Sequence, residues 1–410
     1  MALTKRPYDG KTLAILTGGG DTSALNASIE AIKSRSSALG FQVYGIRRGW
    51  KGLLGDGDVV NLTNQPYDGV YGGTALRSSR TNPFSGSDTS RVQQIIDNLK
   101  RYKIDVLVTL GGDDTNGAAK QLYELEGIPV IGFPKTIDND LRTKTIHNYN
   151  GEMIEAVMCP GFPSAAKGVT ELVTRLATTA ESHSRIMVIE VMGRDAGWLT
   201  GAALMGGAEI CLIPEIPITK ERKEALFEKI KEVYHKSKKQ YLLLAVSEGV
   251  RWYDDKTGKT EVVYASSEVD EFGHPRFGGI SGVVASEISH KTGLDARAQN
   301  LGYLARSGDC RNYDRRLVSV LADKVVDLLI REDYGRMPVL SKLSTYQELE
   351  VYNTDTIDMG KIENKPLPEE YYISEEFQFN ERYIDFLSYF IDKPKQIRFD
   401  YNFPKVKPFK

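Results

Sequence analysis

Cysteine is scarce in this chain: Cys159, Cys211 and Cys310 are the three among 410 residues. An odd number of widely separated thiols without metal-type spacing argues against a disulfide framework or a zinc site, and for packing residues in a reducing, cytoplasmic setting. Histidine is nearly as rare, and His147, His183, His235, His274 and His290 form no ligand pattern. Neither sign of charge is in excess, with 53 Lys and Arg against 55 Asp and Glu. No global field therefore draws the chain to nucleic acid or to a membrane surface, and any anion binding must be local. Long apolar runs are absent as well. No segment approaches the roughly 20 apolar residues that span a bilayer, and the opening MALTKRPYDGKTLAIL has no apolar stretch of secretory length. Also missing are a GxGxxG run after the first strand and the P-loop consensus, which disfavours dinucleotide-dependent dehydrogenases and P-loop enzymes.

What is present is a repeated rhythm of short apolar runs with helical stretches between them. LAIL at 13–16, VYGI at 43–46, DVLVTL at 105–110 and PVIGF at 129–133 form one set. RIMVIEVMG at 185–193, AEICLIP at 208–214 and QYLLLAVSEG at 240–249 form another. The pattern predicts an α/β protein of two similar lobes, each a mainly parallel sheet sandwiched by helices, with the active site in the cleft between them. ITKERKEALFEKIKEVYHKSKK reads as an amphipathic helix. WYDDKTGKTEVVY reads as a peripheral hairpin turning at Lys256-Thr257-Gly258. After about residue 345 the chain becomes rich in Tyr, Glu, Pro and Lys and loses the rhythm.

Ligands of open parallel sheets bind beyond the carboxyl ends of the strands, where loops meet helix N-termini. Three unusual loops fall there. Thr17-Gly18-Gly19-Gly20-Asp21 offers closely approachable backbone N–H groups ahead of a helix starting near Asn26, though a plain flexible turn has the same composition. Gly111-Gly112-Asp113-Asp114-Thr115-Asn116-Gly117 sets two carboxylates at a helix start, either as caps or as ligands for Mg²⁺, which takes a few protein oxygens plus substrate phosphates. Pro134-Lys135-Thr136-Ile137-Asp138-Asn139-Asp140 holds a lysine, a hydroxyl and acids in seven residues. It is either an Asx-rich turn or a supply of the cation and base that phosphoryl transfer requires. Three such loops at one sheet edge favour the chemical reading.

TGGGD, GGDDTNG and PKTIDND, followed by VMGR at 191–194, SEG at 247–249 and LGYLAR at 301–306, resemble the phosphofructokinase family in order and spacing from about residue 12 to 335. The resemblance implies Mg²⁺-dependent transfer of a phosphoryl group to the 1-hydroxyl of fructose 6-phosphate. It makes Asp138 the base, with Thr136 beside it at the transferred group, Arg194 a catalytic residue that also contacts the sugar, Asp113 the metal position with Asp140 behind it, and Gly19 and Arg80 donor-phosphate contacts. On the acceptor side it places Met192, Gly193 and Glu248 on the sugar and Arg185, Arg297, Tyr303 and Arg306 on the 6-phosphate. Arg185 and Arg297 match positions often supplied by a neighbouring subunit, so the expected partner is a second copy, in a homodimer or homotetramer. Residues 1–149 with about 305–345 are expected to bind the donor phosphates, 150–304 the sugar phosphate, and 346–410 to wrap the body or a partner subunit.

ATP-using members usually carry glycine where Asp114 and Lys135 stand here. A second carboxylate repels a nucleotide's α-phosphate while the lysine neutralises pyrophosphate oxygens, so the pair resembles the pyrophosphate-dependent branch, and Tyr303 in place of histidine agrees. The first loop departs from the family: Thr22-Ser23-Ala24 replaces a Pro-Gly pair, which alters rigidity beside the donor. The alternatives are ATP as donor, sedoheptulose 7-phosphate as a further acceptor, and a non-catalytic sugar-phosphate sensor of the same fold. The sensor reading predicts damage at Asp113, Asp138, Asp140 or Arg194, and all four are intact.

Overall fold

The computed structural model describes residues 6–85, 90–141, 145–236, 240–273, 275–346, 349–361 and 364–392. His274 and residues 393–410 of the expected C-terminal extension lie outside them.

In chain order, the first lobe runs through β1 (Thr12–Thr17), α1 (Leu25–Leu39), β2 (Gln42–Ile46), β3 (Val59–Asn61) and α2 (Ser90–Arg101). It continues with β4 (Val106–Gly111), α3 (Asp113–Glu126), β5 (Val130–Pro134), β6 (Thr145–Tyr149) and β7 (Glu152–Ala156). The second lobe holds α4 (Phe162–Ser182), β8 (Ile186–Val191), α5 (Trp198–Met205), β9 (Ile210–Leu212), α6 (Lys220–Lys236) and β10 (Leu242–Ser247). Two short hairpins follow, β11 (Arg251–Asp254) with β12 (Lys259–Val262), and β13 (Tyr264–Val269) with β14 (Pro275–Phe277); α7 (Ile280–Thr292) and β15 (Ala296–Asn300) complete the lobe. α8 (Asn312–Arg331) leads back to the first sheet through β16 (Arg336–Tyr346) and β17 (Leu349–Asp358).

Among the described residues the larger sheet has order β3-β2-β1-β4-β5-β16-β6-β7, with β17 on β16; the smaller has order β15-β8-β10-β9. All four strands of the smaller sheet are parallel, as are β1, β2, β4, β5, β16 and β6 of the larger. The α/β architecture read from the apolar runs is the architecture found.

Side-chain alternation along each strand explains the layering. Leu13 and Ile15 face a core that also receives Val169 and Val173 of α4, Leu317 and Leu321 of α8, and Met187, Ile189, Leu243 and Ala245 of the second sheet. Their neighbours Ala14 and Leu16 face the opposite way, onto Ile95 and Leu99 of α2 and Ala118 and Leu122 of α3. The far face of the smaller sheet, Ile186, Val188, Leu242 and Leu244, is covered by Leu226 and Ile230 of α6 and Val284 and Ile288 of α7. One apolar layer is thus shared by both sheets. Each fully buried Leu or Ile in it contributes about 1.5–3 kcal/mol.

Two features differ from the sequence reading. The expected boundary after residue 149 falls inside the β6–β7 hairpin, whose turn residues Asn150 (φ 49°) and Gly151 (φ 87°) are both left-handed. Asn-Gly is a strong hairpin signal for this reason, and it keeps both strands in the larger sheet. A further strand follows residue 345, since β17 pairs antiparallel along β16 from Leu349 to Asp358, a hairpin without the helix that the earlier rhythm alternates with. As an edge strand it exposes Asn353, Asp355 and Asp358 to solvent, which interrupts its apolar pattern. Beyond it, Tyr371, Tyr383 and Phe386, the last two on α9 (Glu381–Ser388), pack around Trp198 with ring centroids 5.5, 5.9 and 5.3 Å away.

Candidate active site

β2 and β4 flank β1, so the chain leaves the strand ends of the larger sheet in diverging directions and opens a crevice there. In the loop after β1, Gly19 has φ 77°, a left-handed conformation that favours glycine. Its N–H donates to the Ser79 carbonyl at 3.1 Å and its own carbonyl accepts from Ser78 Oγ at 2.6 Å. A Cβ at Gly20 would lie 2.6 Å from Arg306 Nη1, so a side chain there would push the guanidinium aside. The unusual Thr22 and Ser23 are buried, and Thr22 Oγ1 accepts from the Ala24 N–H at 3.2 Å. Packing and a side-chain turn hold this loop in place of the missing Pro-Gly pair.

After β4, Gly112 precedes α3, and Asp113 and Asp114 occupy its first turn, where the positive end of the helix dipole favours carboxylates. Asn116 fixes the turn, donating to the Gly111 carbonyl at 2.7 Å and accepting from Thr109 Oγ1 at 2.8 Å. After β5, Lys135 is buried and donates from Nζ to the Gly20 carbonyl at 2.5 Å. Thr136 Oγ1 accepts from the Asp138 N–H at 3.0 Å and donates to Asp140 Oδ1 at 3.2 Å. Asn139 turns the chain at φ 55°, anchored by the Cys159 N–H at 3.0 Å.

The strand ends of the second lobe face these loops across a cavity of about 1000 Å³. Of the residues singled out in the sequence, Gly19, Arg80, Asp113, Asp114, Lys135, Thr136 and Asp138 line it from the first lobe. Met192, Arg194, Glu248, Tyr303 and Arg306 line it from the second. Gly193 is adjacent, its carbonyl accepting from Ser247 Oγ. Arg306 reaches across to the loop after β1 and donates to the Asp21 carbonyl at 3.2 Å. Arg185 and Arg297 do not line the cavity: both pair with Asp295, at 3.3 and 3.1 Å, at the amino end of the smaller sheet.

Sequence reasoning missed several lining groups. Asn300 is held by the buried Glu190, which accepts from its Nδ2 at 2.7 Å and from Ser281 Oγ at 2.8 Å. The β13–β14 hairpin covers the mouth: Asp270 pairs with Arg80 at 2.7 Å, and Arg194 lies 5.2 Å over the Phe277 ring. Nothing in its composition sets this hairpin apart from the β11–β12 hairpin before it. Asn364, far beyond the last motif, also lines the cavity.

Burial dominates the electrostatics. It raises Asp138, against the opposing pull of Arg306 and Lys135. It pushes Asp140 up to about 7, with Asp138 and Asp113 adding repulsion, and Glu248 up to about 7, with Asp138 adding to it. Lys135 is lowered to about 8 by burial and then by Arg306. Asp138 Oδ1 is buried and accepts no hydrogen bond among the described residues. Such an atom is costly unless a ligand serves it. No cluster of three or more His, Cys, Asp or Glu with metal-binding geometry occurs among the described residues. The hard oxygens of Asp113 and its neighbours fit Mg²⁺, which needs few protein ligands when phosphates supply the rest.

Residues 12–329 match the family model described as Phosphofructokinase. The chain belongs to the phosphofructokinase family. It is an enzyme of that family, whose reaction is phosphoryl transfer to fructose 6-phosphate. A pyrophosphate–fructose 6-phosphate 1-phosphotransferase of Dictyoglomus thermophilum is 38% identical over 320 residues, covering 77% of this chain and 86% of the relative. An ATP-dependent 6-phosphofructokinase of Chloroflexus aggregans is 36% identical over 340 residues, covering 80% and 86%. Family members with different donors are therefore similar to this chain to nearly the same degree. The fold matches a pyrophosphate-dependent phosphofructokinase structure from Nitrosospira multiformis with a TM-score of 0.75 at 23% identity, over 98% of this chain and 100% of that one. No helix among the described residues is long and apolar enough to cross a membrane.

Proposed function

We propose that the chain transfers a phosphoryl group from pyrophosphate to the 1-hydroxyl of fructose 6-phosphate, yielding fructose 1,6-bisphosphate and orthophosphate. The observation that carries the reading is the donor side of the cavity, where Asp114 stands at the start of α3 and the buried Lys135 borders the loop after β1. A nucleotide would bring its α-phosphate toward a carboxylate, whereas a pyrophosphate ends short of it and gains a desolvated cation.

Asp138 Oδ1 takes the proton of the acceptor hydroxyl as its oxygen bonds to the distal phosphorus and the bond to the bridging oxygen breaks. Lys135, Arg80 and Arg194 offset charge on the phosphoryl oxygens, and the first-loop glycines let the donor approach the backbone. Asp113 would hold Mg²⁺, which when bound neutralises donor-phosphate charge. Glu248, Met192 and Gly193 orient the sugar, with Tyr303 and Arg306 toward its phosphate. Arg185 and Arg297 serve the cleft of a neighbouring copy, and the enzyme works in the cytoplasm. ATP is the competing donor, favoured by the 36% identity to an ATP-dependent relative.

The test is the double variant Asp114→Gly with Lys135→Gly. ATP becomes a better donor and the KM for pyrophosphate rises at least tenfold, the loss of one charged contact being worth about 1.5–3 kcal/mol. Unchanged use of both donors contradicts the reading.

A further inference from the structure

The family match ends at residue 329, yet one side chain well beyond it reaches the cavity. Asn364 Nδ2 donates to Asp113 Oδ2 at 2.8 Å. The backbone around it is pinned: Asn364 bridges to Leu141, and the Lys365 N–H donates to the Asp140 carbonyl at 2.6 Å. Lys365 Nζ pairs with Glu155 on β7, and the Leu367 N–H donates to Glu215 Oε1 at 2.8 Å in the second lobe. The segment is therefore a strap fastened to both lobes, and Asn364 is the point at which it touches the reacting cleft.

We propose that Asn364 is a positioning residue that sets the affinity of the cleft for the metal–donor complex. This rests on Asp113 being the metal position. An amide N–H on one carboxylate oxygen fixes the side-chain rotamer and leaves the other oxygen for a cation. Partners that orient a metal-binding group in this way are commonly worth ten- to a hundredfold in metal affinity. A half-buried carboxylate at the first turn of a helix would otherwise sample more than one rotamer, and the cation would have to select one. The amide suits the task because it donates without adding charge next to Asp113 and Asp114.

The test uses the full chain and its Asn364→Ala and Asn364→Asp variants. Each is titrated calorimetrically with Mn²⁺–methylenediphosphonate and with Mn²⁺ plus a non-hydrolysable ATP analogue. Asn364→Ala is expected to weaken binding of the complex about tenfold. Asn364→Asp, of the same shape but repelling Asp113, weakens it further. The KM for the donor rises accordingly, while the KM for fructose 6-phosphate and the melting temperature stay at their wild-type values. A merely structural role would instead lower the melting temperature and move both KM values together, and that result overturns the proposal. So does unaltered binding in both variants. If the unmodified chain binds only the nucleotide complex, the pyrophosphate reading fails while the effect of Asn364 is still read on that complex. If it binds neither complex, the metal position and this inference fall together.

Discussion

Asp138 is partly buried, and its Oδ1 is a buried carboxylate oxygen that accepts no hydrogen bond among the described residues, a cost that a substrate hydroxyl or a cation would offset. Asp138→Asn should leave the fold and fructose 6-phosphate binding intact and lower turnover by roughly 10²–10⁴, measured as kcat beside a calorimetric affinity for the sugar phosphate. The pH profile follows from the same crowding. Burial raises Asp138, while Asp140 and Glu248 sit at about 7, so protons are held on this wall well above the ordinary carboxylate range. A base works only when deprotonated, so kcat/KM falls as pH drops through that raised range. The acid limb of the wild-type profile should lie above the ordinary carboxylate range, and a limb within that range would show that burial does not raise the base in the working enzyme. The three loops were legible because glycine, adjacent acids and a lysine at strand ends are unusual for any purely structural purpose. Asn364 was not, because a lone amide in a polar stretch carries no signal until the strap is seen crossing the cleft.

The β13–β14 hairpin is the element that most changes the picture of the site. Asp270 holds Arg80 at 2.7 Å and Glu271 holds Arg91 at 2.7 Å, so the hairpin spans the mouth by ion pairs. Donor phosphates would compete with Asp270 for Arg80. The guanidinium is about half exposed, so its pair is worth at most about 1 kcal/mol. Asp270→Asn should therefore lower the KM for the donor by no more than about fivefold, with kcat unchanged; a rise in that KM would mean that Arg80 needs the hairpin to stay in place. Strands and helices were legible where apolar periodicity is strong, as in LAIL, DVLVTL and QYLLLAVSEG. β17 escaped because an edge strand shows polar side chains to water, and the β6–β7 turn escaped although Asn150-Gly151 signals it.

At the scale of the molecule, two sheets share one apolar layer and present their strand ends to a common cavity, so loops of one lobe meet loops of the other. Both lobes were legible as a repeated rhythm; their unequal size was not, because β16 and β17 return to the first sheet from the far end of the chain. Arg185 and Arg297 lie outside the cavity of their own chain, which fits service to a second copy. Arg297→Ala should raise the KM for fructose 6-phosphate at least tenfold. Mixing its chains with Asp138→Asn chains should restore turnover by forming one intact site, and no restoration would mean that the subunits do not share sites.

The decisive measurement is the initial rate of fructose 1,6-bisphosphate formation from fructose 6-phosphate and Mg²⁺, with pyrophosphate and ATP compared at equal concentration. Turnover with pyrophosphate and little or none with ATP is the predicted result; turnover with ATP alone would contradict the roles given to Asp114 and Lys135.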